Sequence, residues 1–233
     1  MNLLAIDSST KTFSLAVARD EKILKKRDIR LKGVLSSSII PRIDRILKDS
    51  DLTLQKIDGF VLGRGPGSFT SLRVGVTTVK ALAVATGKPV VSFCSLDAIA
   101  LNLLRGDPVD RYGVIVDARR QKVYACLYRR QANRLVRKTP YLLVPISEFL
   151  DRIDTDVQFA GDGLHLYRET IRQWAQRRKI EQRTLFAPSK AWAPQAANLI
   201  PAALERLRAQ RMDNIDKLEP FYLYPKECQV VRS

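Results

Sequence analysis

The sequence predicts an α/β fold made of two tandem halves, each with the order β-β-β-α-β-α. Three observations carry that prediction. Short apolar runs bounded by turn residues alternate with stretches of helical periodicity, and do so twice along the 233 residues. Asp7 and Asp117 each close a first strand and lead into a hairpin of equal offset, with Ser14 seven residues after the one and Tyr124 seven after the other. Gly63 and Gly161 each end the strand that follows the helix. The halves divide as 1–105 and 106–233, each the size of an ordinary domain.

In the first half, strands are expected at Leu3–Ile6, Phe13–Ala18 and Lys22–Arg30, separated by Ser8-Ser9-Thr10-Lys11 and Arg19-Asp20-Glu21. A helix follows from about Ser37 to Lys48, where Ile39, Ile40, Ile43, Ile46 and Leu47 give a broad apolar face at helical spacing. Pro41 fits only in its first turn, where a missing N–H has no helical partner. Ser36, Ser37 and Ser38 are all candidate caps. Phe60-Val61-Leu62 is the next strand. Beyond a glycine-rich loop, Val76–Ala85 reads as helix, stopped by Gly87 with Pro89 just after, and Val90–Phe93 as a buried strand. The second half repeats the order: Tyr112–Val116, Lys122–Tyr128, a third strand within Arg134–Val144, a helix Glu148–Ile153 capped by Ser147, and a strand Val157–Ala160.

Composition bounds the chemistry. The apolar content of 45% is ample for a core, and no apolar run approaches the roughly 20 residues that span a bilayer. The start of the chain lacks a signal-peptide pattern, and three cysteines without metal-like spacing suit a reduced protein, so a cytoplasmic location is expected. With a single histidine, His165, an ordinary zinc site is not expected. The net charge is +16, concentrated at residues 119–138 and again at Arg168, Arg172, Arg177, Arg178, Lys179 and Arg183. Such fields attract polyanions, nucleic acid first among them, although the aromatics do not interleave with the basic residues as in a base-stacking platform.

Two β-β-β-α-β-α halves describe the duplicated ribonuclease-H-like fold of the actin, sugar-kinase and Hsp70 group (ASKHA). In that fold ATP lies between the halves, hairpins after the first strands cradle phosphates, and an Asp from each half approaches the metal. Here Asp7, Ser9, Thr10, Asp117, Gly161 and Gly163 occupy those places. Arg119 stands where active kinases have glycine, so the site is expected to be degenerate, with both carboxylates capping strand ends.

The stretch from Gly63 to Gly75 runs strand, glycine-rich turn, helix. It closely resembles the Gly-Pro-Gly-Ser-Phe-Thr-Gly-Leu-Arg-hydrophobic-Gly segment of the bacterial TsaB (YeaZ) family. Gly65, Pro66, Gly67, Ser68, Phe69, Thr70 and Arg73 match, and Ser71 replaces the family's usual Gly. Leu4-Ala5-Ile6-Asp7-Ser8-Ser9 resembles the family's opening, Val116-Asp117-Ala118-Arg119 with Lys122-Val123-Tyr124 its middle motif, and Glu219-Pro220-Phe221-Tyr222-Leu223 its ending. Tyr224 departs from the family's Arg, and Leu35-Ser36 from its frequent His-Ser.

The resemblance implies a non-catalytic subunit. TsaB-like proteins pair with a larger paralogue, TsaD, which transfers threonylcarbamoyl to the adenosine beside the tRNA anticodon and binds metal through a His-x-x-x-His pair. With one histidine this chain lacks such a pair. It is expected to have no cofactor of its own, ATP or ADP and metal entering only within the complex. Expected partners are the TsaD-like paralogue, a TsaE-like ATPase and, through the complex, tRNA, with a weak homodimer when alone and no membrane. The older glycoprotease-like (M22) label finds no nucleophile pair around His165, which is expected to face solvent or cap a helix. Leu35, Ile39, Ile43, Ile46 and Leu47 on one helix, widened by Ile40, and Leu72, Val76, Val79 and Leu82 on the other are assigned to the partner-facing helices, with inward and outward members unsorted. Arg129, Arg130, Arg134 and Arg137, in a hairpin from whose face alternate basic side chains project, are assigned to tRNA electrostatics. Two alternatives stand: an active small-molecule kinase or ATPase of the same fold, and a free-standing basic RNA-binding module.

Overall fold

The computed structural model describes residues 1–104, 109–132, 134–179 and 185–224. The first sheet contains β1 (Asn2–Asp7), β2 (Thr12–Arg19), β3 (Lys22–Arg30), β4 (Gly59–Gly63) and β5 (Val90–Phe93), in the order β3-β2-β1-β4-β5. β1, β2 and β3 form an antiparallel meander, and β4 and β5 run parallel to β1. The second sheet contains β6 (Arg111–Asp117), β7 (Lys122–Gln131), β8 (Arg134–Arg137), β9 (Leu142–Pro145) and β10 (Gln158–Ala160), ordered β10-β6-β7-β8 with β9 also on β7. Both sheets follow the ribonuclease-H-like plan, so the duplicated fold read from the sequence is present.

β1 and β4 are buried on both faces, which is why they read as unbroken apolar runs. β3 is one of the two edges, and its Lys22, Lys25 and Lys26 discourage pairing with another chain. Helix α1 (Ile39–Lys48) lays Ile39, Ile43, Ile46 and Leu47 on the sheet, and α2 (Phe69–Thr86) adds Leu72, Val76, Val79 and Ala83. Pro41 lies in the first turn of α1, as expected. The hydroxyls of Ser37 and Ser38 bond back to Val34 O and Leu35 O, so neither caps the helix with its side chain.

Several boundaries differ from the sequence reading. α2 begins at Phe69 rather than Val76, so the glycine-loop residues Phe69 and Thr70 form its first turn. The third strand of the second half is split into β8 and β9; Pro140 between them has no N–H to give the ladder. α4 (Ile146–Asp151) follows Pro145 and takes Ser147 inside it. The hairpins are unequal: Asp7 pairs with Ser14, seven residues on, but Asp117 pairs with Val123, six residues on. The shorter turn is reached by placing Arg119, Arg120 and Gln121 all at positive φ.

The chain forms two compact units, Met1–Ala98 with Pro194–Phe221, and Ile99–Ala193 with the residues from Tyr222 on. The boundary expected at 105/106 therefore moves, and residues 194–221 return to the first unit. They do so on specific bonds. Ala196 N donates to Ser14 Oγ (2.8 Å), the Asp213 carboxylate accepts from Ser92 N, and Arg206 Nη1 donates to Ser92 O (2.8 Å). Helix α6 (Ile200–Arg208) covers the sheet with Ile200, Ala203, Leu204 and Leu207. Helices α3 (Ser95–Leu101) and α5 (Leu164–Arg177) complete the fold. Among the described residues no helix is long and apolar enough to cross a membrane.

Candidate functional site: a closed hairpin and an open helix groove

In the first unit, the hairpin Asp7-Ser8-Ser9-Thr10 and the glycine loop are one packed object. Asp7 Oδ1 accepts Ser9 N (2.8 Å) and Ser9 Oγ (2.7 Å). Ser9 O accepts Ser68 N (2.7 Å), and Ser8 Oγ donates to Ser71 O (2.9 Å). The glycines make this contact possible. A Cβ on Gly67 would stand 2.0 Å from Ser9 O, and one on Gly63 would stand 1.8 Å from Asp7 Oδ2. Gly65 has φ +102° and is locked to Ser95 by reciprocal bonds, Gly65 N to Ser95 Oγ (3.0 Å) and Ser95 N to Gly65 O (2.8 Å). Ser71, the departure from the family motif, receives Ser68 Oγ on its hydroxyl (3.2 Å). Arg73 lies over the Phe69 ring at 4.1 Å, on the exposed side of the loop.

The result is that Asp7, Ser8, Ser9 and Thr10 are all buried. Asp7 Oδ2 has no hydrogen-bond partner among the described residues. Burial pushes the Asp7 carboxyl from 3.8 up to about 6, against the opposing pull of Ser9 and, more weakly, of the Ser95 hydroxyl. A carboxylate enclosed in this way is poorly suited to reach a metal-bound phosphate.

In the second unit the same local bond recurs: Arg119 N donates to Asp117 Oδ1 (2.9 Å), and Arg119 Nη1 pairs with Oδ2 at 3.4 Å. Arg119 thus satisfies the carboxylate that its hairpin would offer a ligand. Tyrosines surround this turn. Tyr224 OH donates to Ala118 O (3.0 Å), and its ring meets Tyr124 edge-on at 6.2 Å. Burial, then Tyr224 and Asp117, push the Tyr124 hydroxyl up to about 12. The Gly161-Asp162-Gly163 turn is bonded to β6: Asp162 Oδ1 accepts Asp117 N (3.1 Å), and Gly163 N donates to Ile115 O (3.2 Å). Gly161, at φ +114°, has room for no Cβ against Ile115 O.

The partner-facing assignment needs correction. Leu35, Ile39, Ile43, Ile46, Leu47, Leu72, Val76 and Val79 are at most 4% exposed and belong to the first unit's own core. A core must be filled before a helix can offer apolar width to another chain. The open face lies a quarter-turn away. Ser36, Ile40, Arg73, Val74, Thr77, Thr78, Ala81 and Leu82, with Ile39 at the floor, line a shallow groove of about 460 Å³ between α1 and α2. Ile40 is 52% exposed, and Val84, further along α2, is 70% exposed. Ile40 and Leu82 were among the residues read from the sequence for this face; the further signal was the set of small residues at Thr77, Thr78 and Ala81, unneeded by a core stripe.

The four hairpin arginines do not share a face. Arg129 pairs across the ladder with Val136, and Arg134 with Gln131, on one side; Arg130 opposite Leu135, and Arg137 opposite Tyr128, lie on the other. Arg129 is also held by Asp110 at 3.0 Å. His165 is exposed near the start of α5, its ring edge-on to Trp192 at 5.1 Å. Arg183 lies outside the described residues.

Comparison with known proteins is consistent with this geometry. Residues 34–229 match the family model for TsaD, tRNA N6-adenosine threonylcarbamoyltransferase. The chain is 32% identical to the tRNA threonylcarbamoyladenosine biosynthesis protein TsaB of Bacillus subtilis, over 73% of this chain and 75% of that protein. It is 26% identical to TsaB of Escherichia coli, over 96% of this chain and 94% of that one. The solved YeaZ structure from Pseudomonas aeruginosa superposes with a TM-score of 0.78 at 24% identity, covering 95% of this chain and 99% of the other.

Proposed function

The chain belongs to the TsaB (YeaZ) branch of the TsaD family, and from that membership we propose that it acts in tRNA threonylcarbamoyladenosine biosynthesis as a non-catalytic subunit. Its role is to pair with a TsaD-like paralogue and hold that enzyme in its active form. The observation that carries this reading is the closed hairpin. Ser9 N and Oγ are spent on Asp7, Ser9 O on Ser68 and Ser8 Oγ on Ser71, so the turn that would cradle a phosphate is filled by its own glycine loop. Arg119 satisfies Asp117 in the other half. A single histidine leaves the chain without the paired ligands of a catalytic relative. Nucleotide and metal chemistry then belong to the paralogue, and a TsaE-like ATPase is the third member.

The groove between α1 and α2 is the surface offered to the paralogue. It is apolar and small-residued, so two helices of a partner can approach closely and complete a four-helix packing. Without the paralogue, a second copy of the chain covers the same face weakly, giving a loose homodimer. The test is copurification with the host's TsaD-like protein. Ile40→Glu should abolish capture while leaving the thermal melt unchanged, and capture equal to wild type would remove the groove from the interface.

A further inference from the structure

Helix α5 presents His165, Arg168, Arg172 and Gln176 in steps of three or four residues, so they form one exposed stripe. From Leu164 to Lys179 there are five lysines and arginines against one acid, Glu169, which pairs with Arg172 at 3.5 Å. Arg168 makes no ion pair among the described residues. Its guanidinium instead sits 4.9 Å from the Phe186 ring centre and 5.7 Å from that of Trp192, and Arg172 sits 5.8 Å from Phe186. These rings are distant in sequence from the arginines they support, so the sequence showed no interleaving. Trp192 is itself fixed, buried and donating Nε1 to Ala187 O (2.8 Å). A guanidinium resting on a ring face keeps its N–H edge free while losing rotamer freedom, which prepares it for bidentate contact with a phosphate.

We propose that this α5 stripe is a docking surface for the sugar–phosphate backbone of folded RNA. The choice of RNA rests on the tRNA pathway proposed above. Two features narrow the class further. The ring faces are occupied by the arginines, so bases have nothing to stack on and binding is independent of sequence. α5 exposes one large apolar side chain, Leu166, while Leu164, Ile171, Trp174 and Ala175 are buried in its own unit, so it lacks the apolar face of a membrane-surface helix.

The test is fluorescence anisotropy of labelled, unmodified tRNA with the full chain at several salt concentrations. Arg168→Gln with Arg172→Gln should weaken binding several-fold at low salt and reduce the salt slope by roughly 1–2, about 0.7–0.9 per lost phosphate contact. Phe186→Leu should weaken binding at unchanged net charge and near-unchanged melting. Lys25→Gln with Lys26→Gln, on the exposed β3 edge, should leave the slope as in wild type. Equal losses from both charge pairs, or an inert Phe186→Leu, would overturn the proposal in favour of a diffuse field. Displacement of tRNA by polyglutamate as readily as by unlabelled tRNA would overturn it in favour of an acidic protein partner. Because this readout uses the chain alone, its failure leaves capture of the paralogue intact, and loss of that capture leaves this readout intact.

Discussion

Replacing Asp7 by asparagine tests whether the first hairpin is closed. In the folded protein the Asp7 carboxyl titrates at about 6, against an ordinary 3.8, because it is fully enclosed with one oxygen unpaired. The folded state therefore holds this proton more tightly than the unfolded chain does. The stability contributed by the protonated form is complete below the unfolded value and is lost as pH rises through about 6. The gap between the two values corresponds to about 3 kcal/mol across that window. In the Asp7→Asn variant the side-chain carbonyl would still accept Ser9 N and Oγ, but the group cannot ionise. Its amide against Gly63 adds a penalty of about 1–3 kcal/mol that is the same at every pH. Urea unfolding of both proteins from about pH 3 to pH 7 isolates the effect, since every other titrating group cancels in the difference. The wild type should lose about 3 kcal/mol relative to the variant as pH rises. Parallel profiles would mean that water reaches Asp7 and that the hairpin is open, removing the main support for a filled phosphate turn.

Other perturbations separate packing from pairing. Gly67→Ala forces a Cβ against the Ser9 carbonyl and should cost about 3 kcal/mol, the upper range for overpacking. Gly87→Ala, at φ +67° in open space, should cost only about 1 kcal/mol in the same melting assay. Ile43→Glu buries a charge in the α1 core and should unfold the protein outright, whereas Ile40→Glu should shift stability by no more than about 0.5 kcal/mol. The purified chain should release no phosphate from ATP above background; brisk turnover that Asp7→Ala abolishes would reinstate the kinase alternative.

The fold was legible where burial imposes a simple period. β1, β2, β4 and β5 lie between covering layers, and their apolar runs mark them directly. The Asp7 and Asp117 strand ends were visible because a turn must follow each. What escaped was set by long-range contact. α6 and residues 194–221 carry an ordinary amphipathic pattern, and only the bonds to Ser14 and Ser92 show which unit they cover. The partner-facing assignment was drawn too wide for a similar reason. The strongest apolar stripe is the one a domain keeps for itself, so Ile39 and Ile43 are buried in the core, and the groove between α1 and α2 is lined largely by weaker residues such as Thr77 and Ala81. Register divides the hairpin arginines between two faces: Arg129 and Arg130 are neighbours in a strand and must face opposite ways.

The central claim is that this chain serves catalysis by another protein. The measurement that meets it most directly is threonylcarbamoyl incorporation into unmodified tRNA by the reconstituted TsaD-like paralogue and TsaE-like ATPase, with this chain present, absent, or carrying Ile40→Glu. Incorporation should require the wild-type chain and fall to the level of its omission with Ile40→Glu. Full incorporation without the chain, or incorporation by the chain in the paralogue's absence, would contradict the account.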